Sequence, residues 1–404
     1  MRRLAMLAGL ALALAGCHRE EALRHCGLGH LAFSDRDYDA ALAEFQTALE
    51  LDSQLAIAYA GVGDVFREKG EPDKALLPYQ RAVQIMPYEF TYHYRLGRTY
   101  QALDLDREAA GTYENAVHLD PDNVPVRVNL GVVYFRMGDL QHALVHTEKA
   151  VELEPTHGFA WSNLGAIHDA SGETYRAIHA YQRSIELDPK QAPVHVNLAT
   201  AYLRQGRLDK AIEEFKLAAD LDPKSPLIRK RLAYAYSKQK RYGAAIEELQ
   251  TALEVEPRDW QCRNSLAAIY MIFYLRTPQQ DRLRQQALEE WHESLESNPD
   301  QPAIRAQMER WAEPIPVPEP VSEAPASAVS PPGEADGPPA EEPAPEPAPA
   351  ETPAPEEPMP TEPTSEPPAT EPPAEPPAAE TPRGDAPPEI PWPEDAPIPG
   401  GPAE

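Results

Sequence analysis

Leu119-Asp120-Pro121, Leu153-Glu154-Pro155, Leu187-Asp188-Pro189 and Leu221-Asp222-Pro223 are one tripeptide theme that returns at a constant interval. Val255-Glu256-Pro257 continues it on one side and Pro87 on the other, so six prolines keep the interval without exception. A fixed period of this length marks a stack of supersecondary units. The same frame exposes further columns. Gly29, Gly63, Gly97, Gly131 and Gly165 continue as Ala199, Ala233 and Ala267. Ala41, Ala75, Ala109, Ala143, Ala177, Ala211 and Ala245 form a second small column. Phe45, Tyr79, Tyr113, Thr147, Tyr181, Phe215 and Leu249 form a bulky one. Small residues let two helix axes approach, and a facing ring fills the space beside them. Gly70, Gly138, Gly172 and Gly206 fall where a left-handed residue ends a first helix. The prolines stop the second helix and open the next unit.

These columns resemble the tetratricopeptide repeat over residues 22–301. The resemblance implies an all-α fold, a right-handed superhelical solenoid of helix-turn-helix units. Eight units fit: 22–55, 56–89, 90–123, 124–157, 158–191, 192–225, 226–259 and 260–301. The last departs from the pattern. Its second-helix signature returns late, at Ala287, Trp291 and Pro299, after an insertion containing Met271–Leu275 and Pro278. A first helix extended and then broken at the proline is expected. With a helix over 302–312 it closes the stack as a cap; a partner site is the other reading.

In the family, the second, fifth, sixth, ninth, twelfth and thirteenth positions of a unit look into the concave face. The resemblance therefore assigns a peptide-binding groove to Val128, Val132, Phe135, Phe159, Val196 and Leu203, together with Asn129, Asn163 and Asn197, one period apart. An amide offers both a donor and an acceptor to a peptide backbone. The three are expected to face an open groove, either as an asparagine ladder or as consensus residues. Val128, Ser162, Val132 and Ala166 stand where a carboxylate clamp would need Lys and Asn.

No phosphate-cradling glycine loop or nucleophile elbow is present, and no enzyme, cofactor or small-molecule substrate is implied. His142 and His146 have a helical metal spacing but no third ligand nearby in sequence. His168 takes the place of a column aromatic as a packing residue. Cys26 and Cys262 fall at opposite ends of the array, out of disulfide reach.

The flanks are different material. Met1-Arg2-Arg3 precedes an apolar run from Leu4 to Ala15, the n- and h-regions of a secretory signal, too short to span a bilayer. Leu14-Ala15-Gly16-Cys17 resembles the lipobox of bacterial lipoproteins. That implies removal of residues 1–16, lipidation of Cys17 and a short linker, 17–21. His18 in place of Asp implies the outer membrane. Residues 313–404 hold 32 of the 46 prolines, 21 acidic residues and one basic, Arg383, a net charge of −20. Such a composition stays extended and disordered. It is either a solubilising spacer or a tether ending in a docking residue, Trp392. Residues 1–312 carry the remaining −8 of the chain's −28, so nucleic acid is not an expected partner. The whole resembles the plan of pilotin lipoproteins. It implies a scaffold on the periplasmic side that binds envelope proteins through the concave face and the membrane through its lipid. The alternative is an envelope spacer, the array a stalk and the tail a reach element.

Overall fold

The computed structural model describes the backbone of residues 2–314 and the side chains of residues 18–314. The Cys17 side chain, Trp392 and the acidic tail from Ile315 on lie outside the described residues. Those described form 17 α-helices and no strand. They pair in chain order: α1 (Arg2–Ser34) with α2 (Tyr38–Leu51), α3 (Ala56–Glu68) with α4 (Pro72–Ile85), α5 (Phe90–Ala102) with α6 (Asp106–Leu119), and α7 (Val124–Arg136) with α8 (Leu140–Leu153). Then come α9 (Gly158–Ala170) with α10 (Thr174–Leu187), α11 (Ala192–Arg204) with α12 (Leu208–Leu221), α13 (Pro226–Lys238) with α14 (Tyr242–Val255), α15 (Trp260–Arg276) with α16 (Asp281–Ser297), and α17 (Pro302–Arg310). The substantial helix–helix contacts run within a pair or to the next pair, which makes the array a solenoid. α1 continues through Cys17 to Arg2 without a break. Among the described residues no helix is long and apolar enough to cross a membrane.

One left-handed residue turns each of the first seven hairpins. Gly70, Gly138, Gly172 and Gly206 sit at φ +73°, +78°, +77° and +70°. Arg36, Asp104 and Lys240 occupy the same place in their own units, at +61°, +55° and +61°. Backbone hydrogen bonding demands it. The Gly70 amide donates to the Arg67 carbonyl and the Glu71 amide to Phe66 (both 2.9 Å). Asp104 and Leu105 repeat the pair on Gln101 and Tyr100. This doubly bonded C-terminus requires αL geometry whatever the side chain. At the other end of each unit, Met86, Asp120, Glu154, Asp188, Asp222 and Glu256 precede the column prolines and leave helical space, with φ between −121° and −143°.

The core repeats with the period. Phe45, Tyr79, Tyr113, Tyr181, Phe215 and Leu249 are all fully buried. A Cβ on Gly63 would lie 2.6 Å from the Tyr79 ring, one on Gly97 2.5 Å from Tyr113, and one on Gly165 2.5 Å from Tyr181. Glycine thus sets the approach of the two helices. α15 runs an extra turn and ends at Arg276, with Thr277 as its C-cap just before Pro278. On α16, Ala287 and Trp291 return to the core. Arg284 donates to the carbonyls of Trp311 (2.8 Å) and Ala312 (2.7 Å), and the Trp311 ring meets Tyr274 edge-on at 6.4 Å. α17 is thereby fastened over the end of the stack.

Candidate peptide-binding groove

Polar side chains at equivalent places bridge successive first helices. Arg95 of α5 pairs with Asp64 of α3, and Arg204 of α11 with Asp169 of α9. Arg231 of α13 donates to Thr200 Oγ1 of α11 (2.9 Å), and Lys230 reaches Asp259, the N-cap of α15 (2.6 Å). These contacts mark the face that the first helices line. Asp64 also accepts from the Tyr79 hydroxyl (2.7 Å), and burial together with that carboxylate pushes the Tyr79 pKa up.

On this face, between α7 and α9, lies a narrow crevice of about 10 Å³, room for little more than one water, lined by Gly131, Val132, Phe135, Asn163, Ala166 and Ile167. Phe135 is half-buried. Asn163 is 4% exposed, and its Nδ2 has no hydrogen-bond partner among the described residues. Leaving a buried donor unsatisfied costs on the order of 1–3 kcal/mol. An acceptor brought by a ligand, such as a peptide carbonyl, recovers that cost.

The expected groove residues divide. Val132, Phe135 and Asn163 come together at the pocket. Phe159, near the start of α9, is exposed at 41%, and Leu203 is half-buried on α11. Val128 and Val196 are fully buried in the cores between units and present nothing to a ligand. The expectation that all three asparagines face an open groove does not hold: Asn129 is 0% and Asn197 2% exposed. Asn129 sits beside the Tyr113 hydroxyl, and neither its Nδ2 nor its Oδ1 has a partner among the described residues. The column explains this. Arg95 and Arg231, at the same unit position, also span the seam between first helices, so that position falls at the seam, where Asn163 lines the α7–α9 crevice.

Column reading had overlooked the charge on this face. In units two to seven, the four columns through Asn129, Val132, Phe135 and Arg136 hold seven cations and three carboxylates. The groove is therefore positive in an array that is negative as a whole. Arg98, one unit before Val132 in the same column, leans over the Tyr94 ring (5.9 Å). Lys238, one unit after Arg204 in its column, lies over Tyr234 (5.1 Å). Arg136, beside Phe135, pairs with Asp104 and with Asp106 (3.2 Å).

Off this face, His142 and His146 stack on Tyr134, with centroids 5.0 and 5.7 Å away. His142 meets Asp139 at 2.7 Å and His146 meets Glu114 at 3.2 Å. Burial holds the His146 pKa down against the pull of Glu114. His168 is buried against Glu173 (2.7 Å). Among the described residues no cluster of three or more His, Cys, Asp or Glu could hold a metal, and Cys26 and Cys262 are free, buried thiols.

Models of the tetratricopeptide repeat match residues 26–89, 124–157, 163–226 and 205–269. The chain is a tetratricopeptide-repeat protein. Among solved structures, MamA is 28% identical over 40% of this chain and 95% of its own, with a TM-score of 0.39. YrrB, described as a TPR protein with an unusual peptide-binding site, is 25% identical over 44% and 92%, with a TM-score of 0.40. PilF of Pseudomonas aeruginosa is 19% identical over 55% and 98%, with a TM-score of 0.46. No curated protein matches. The TPR array is a protein-interaction scaffold.

Proposed function

We propose that this TPR protein is a lipid-anchored scaffold of the bacterial periplasm. It holds an extended segment of an envelope partner and supports assembly of an outer-membrane complex, in the manner of a pilotin or a biogenesis factor. The observation that carries the reading is the narrow crevice between α7 and α9, where the half-buried Phe135 ring lies beside the unpartnered Asn163 amide. An extended peptide brings what this surface lacks: a backbone carbonyl for Asn163 and an apolar side chain to lie over the Phe135 ring. The anchor rests on Leu14-Ala15-Gly16-Cys17, since a thiol is the group that diacylglycerol transfer needs. Several acyl chains hold a protein on a membrane durably.

Two experiments test the two halves. A photo-crosslinking residue at Phe135 should capture an envelope protein in intact cells. The same residue at Val145, 60% exposed on α8, should not. Capture from Val145 and none from Phe135 would move recognition off this face. Cys17→Ser should release a folded protein from the membrane fraction and abolish fatty-acid labelling. Label retained by that variant would refute the anchor.

A further inference from the structure

We propose that the outer face of α1, centred on Leu28 and Leu31, docks flat on the lipid bilayer that holds the anchor. The membrane there takes the place that a preceding unit takes elsewhere in the stack. The proposal rests on the anchor reading above and names the surface that the anchor applies to the membrane. Three observations carry it. The first comes from the columns. Leu28 begins a column that continues from Val62 to Leu266, where no member is more than 9% exposed. Leu31 begins one that continues from Val65 to Ile269, where none exceeds 1%. These positions serve the seam with the unit before: Leu130 and Val133 of α7 share a core with Tyr113 and Ala116 of α6. On α1 the same positions stand open. Leu28 is 43% and Leu31 61% exposed, and neither joins the core of the first unit. The other end of the stack is closed by α17 and the buried Trp311.

The second is register. α1 is helical from Arg2 through Cys17 to Ser34. At ~100° per residue, position 28 lies about 20° around the helix from position 17, and position 31 about 40° to the other side. Along the axis they are about 16 and 21 Å away, at ~1.5 Å per residue. The lipidation site thus shares one face with both leucines. A bilayer that takes acyl chains at position 17 meets that face when α1 lies along its surface. A partner helix or a second copy seated on Leu28 and Leu31 would have to share the face with those chains.

The third is charge. Between position 17 and Leu28, Arg19 and Arg24 balance Glu20 and Glu21, all four exposed, with Arg24 and Glu21 meeting at 3.7 Å. No net charge on this stretch opposes a leaflet, and the arginine stems can lie along it with their heads in water. Two leucines do not hold a protein on a membrane alone; the acyl chains do that, and the leucines set how the array stands. Ala22 and Cys26, buried on the opposite side of α1, face the rest of the first unit. The later units therefore rise away from the bilayer.

The test uses the lipidated full chain in vesicles of phosphatidylethanolamine and phosphatidylglycerol. It is spin-labelled at Leu28→Cys or, as a control, at Val145→Cys on α8. Lipid occupies the Cys17 thiol. Cys26 and Cys262 are buried, and burial pushes the Cys26 thiol up to about 11 and raises that of Cys262 too, so the label selects the introduced cysteine. Oxygen partitions into the bilayer, whereas a nickel chelate stays in water. The nitroxide at position 28 should collide preferentially with oxygen and the one at position 145 with the chelate. Leu31→Glu should shift position 28 toward the chelate, because a charge is costly to bury. That variant should melt like the parent, since Leu31 lies outside the core. Cys17→Ser should release position 28 to water. A fatty-acylated chain whose label at position 28 is as open to the chelate as that at position 145 overturns docking and leaves the anchor standing. A parent chain without fatty acid sinks the anchor, and docking with it. Dipolar broadening at position 28 that unlabelled protein relieves would make a second copy the occupant and also overturn the proposal.

Discussion

Three hairpins turn on a residue that is not glycine, and replacing it should stabilise the array. Arg36 and Lys240 hold φ of +61° where four other units have glycine. For an L-residue the left-handed conformation costs roughly 1–2 kcal/mol. Glycine removes that cost but has more freedom to lose on folding, about 0.5–1 kcal/mol. The balance is a gain of about 0.5–1 kcal/mol at each site. Neither Arg36 nor Lys240 forms an ion pair among the described residues, so nothing offsets it. Asp104, at φ +55°, differs because it accepts from Arg136 across an exposed pair. Such pairs are worth up to ~1 kcal/mol, so Asp104→Gly should come out near neutral. Arg36 and Lys240 lie in the first and seventh units and share no partner, so their effects should add to about 1–2 kcal/mol. For a domain of this size that is a rise of roughly 2–8 °C in Tm. Far-UV circular dichroism melts of the double variant, with Gly172→Ala as the opposite control, measure it. Because each unit touches only its neighbours, hydrogen-exchange protection should rise around the changed turn and not at the far end. A double variant that melts lower than the parent, or a Gly172→Ala variant that melts no lower, would show that the turns do not carry this strain.

Gly165→Ala should destabilise despite the better helix former. The new Cβ meets the fully buried Tyr181 ring at 2.5 Å, and overpacking of about 1–3 kcal/mol outweighs a propensity gain of ~1 kcal/mol. A denaturant midpoint at or above the parent's would contradict it. Two histidines should titrate in opposite directions by NMR. Burial holds His146 below the ordinary histidine value, so its contribution to stability is full above that value and is lost as pH falls through its folded pKa. Burial also works against charge at His195, but its bonds to Glu214 (2.7 Å) and the Pro189 carbonyl (3.0 Å) prevail and raise its pKa. Its contribution is therefore full below the ordinary value and fades as pH rises through the folded pKa. His195→Gln should flatten the stability profile on that rising side, and a titration midpoint for His195 below that of His146 would reverse the reasoning. Asn163→Ala should leave thermal stability within about 1 kcal/mol of the parent, because its amide nitrogen has no internal acceptor to lose. A drop of several kcal/mol would mean that the amide is structural.

The period was legible because it is enforced by backbone requirements that few residues meet. A proline must follow the second helix, and a glycine must lie under each tyrosine. The αL column was only half legible. Four glycines advertise it, while Arg36, Asp104 and Lys240 can be found only by counting whole periods from them. The groove was less readable for a different reason. A column names the occupant of a position in every unit, but whether that position overlooks the channel or the seam depends on the rotation between successive units. Asn129, Asn163 and Asn197 share a column, yet all three are nearly buried, and Asn163 lines the α7–α9 crevice.

The cavity appears where the pattern falters. Thr147 stands in unit four where the other units have a ring or Leu249, and a Cβ on the facing Gly131 would come within 2.2 Å of its Oγ1. The hairpin closes up around a smaller residue. Gly131 and Ala166, small residues of α7 and α9, line the crevice between Phe135 and Ile167. Restoring the ring with Thr147→Tyr should push α7 away from α8, since the space above Gly131 is already taken. A crystal structure of that variant should show the pocket narrowed or lost, with Asn163 carried along. In a repeat protein the columns make the stack, and a single departure from one of them suffices to leave a gap between first helices.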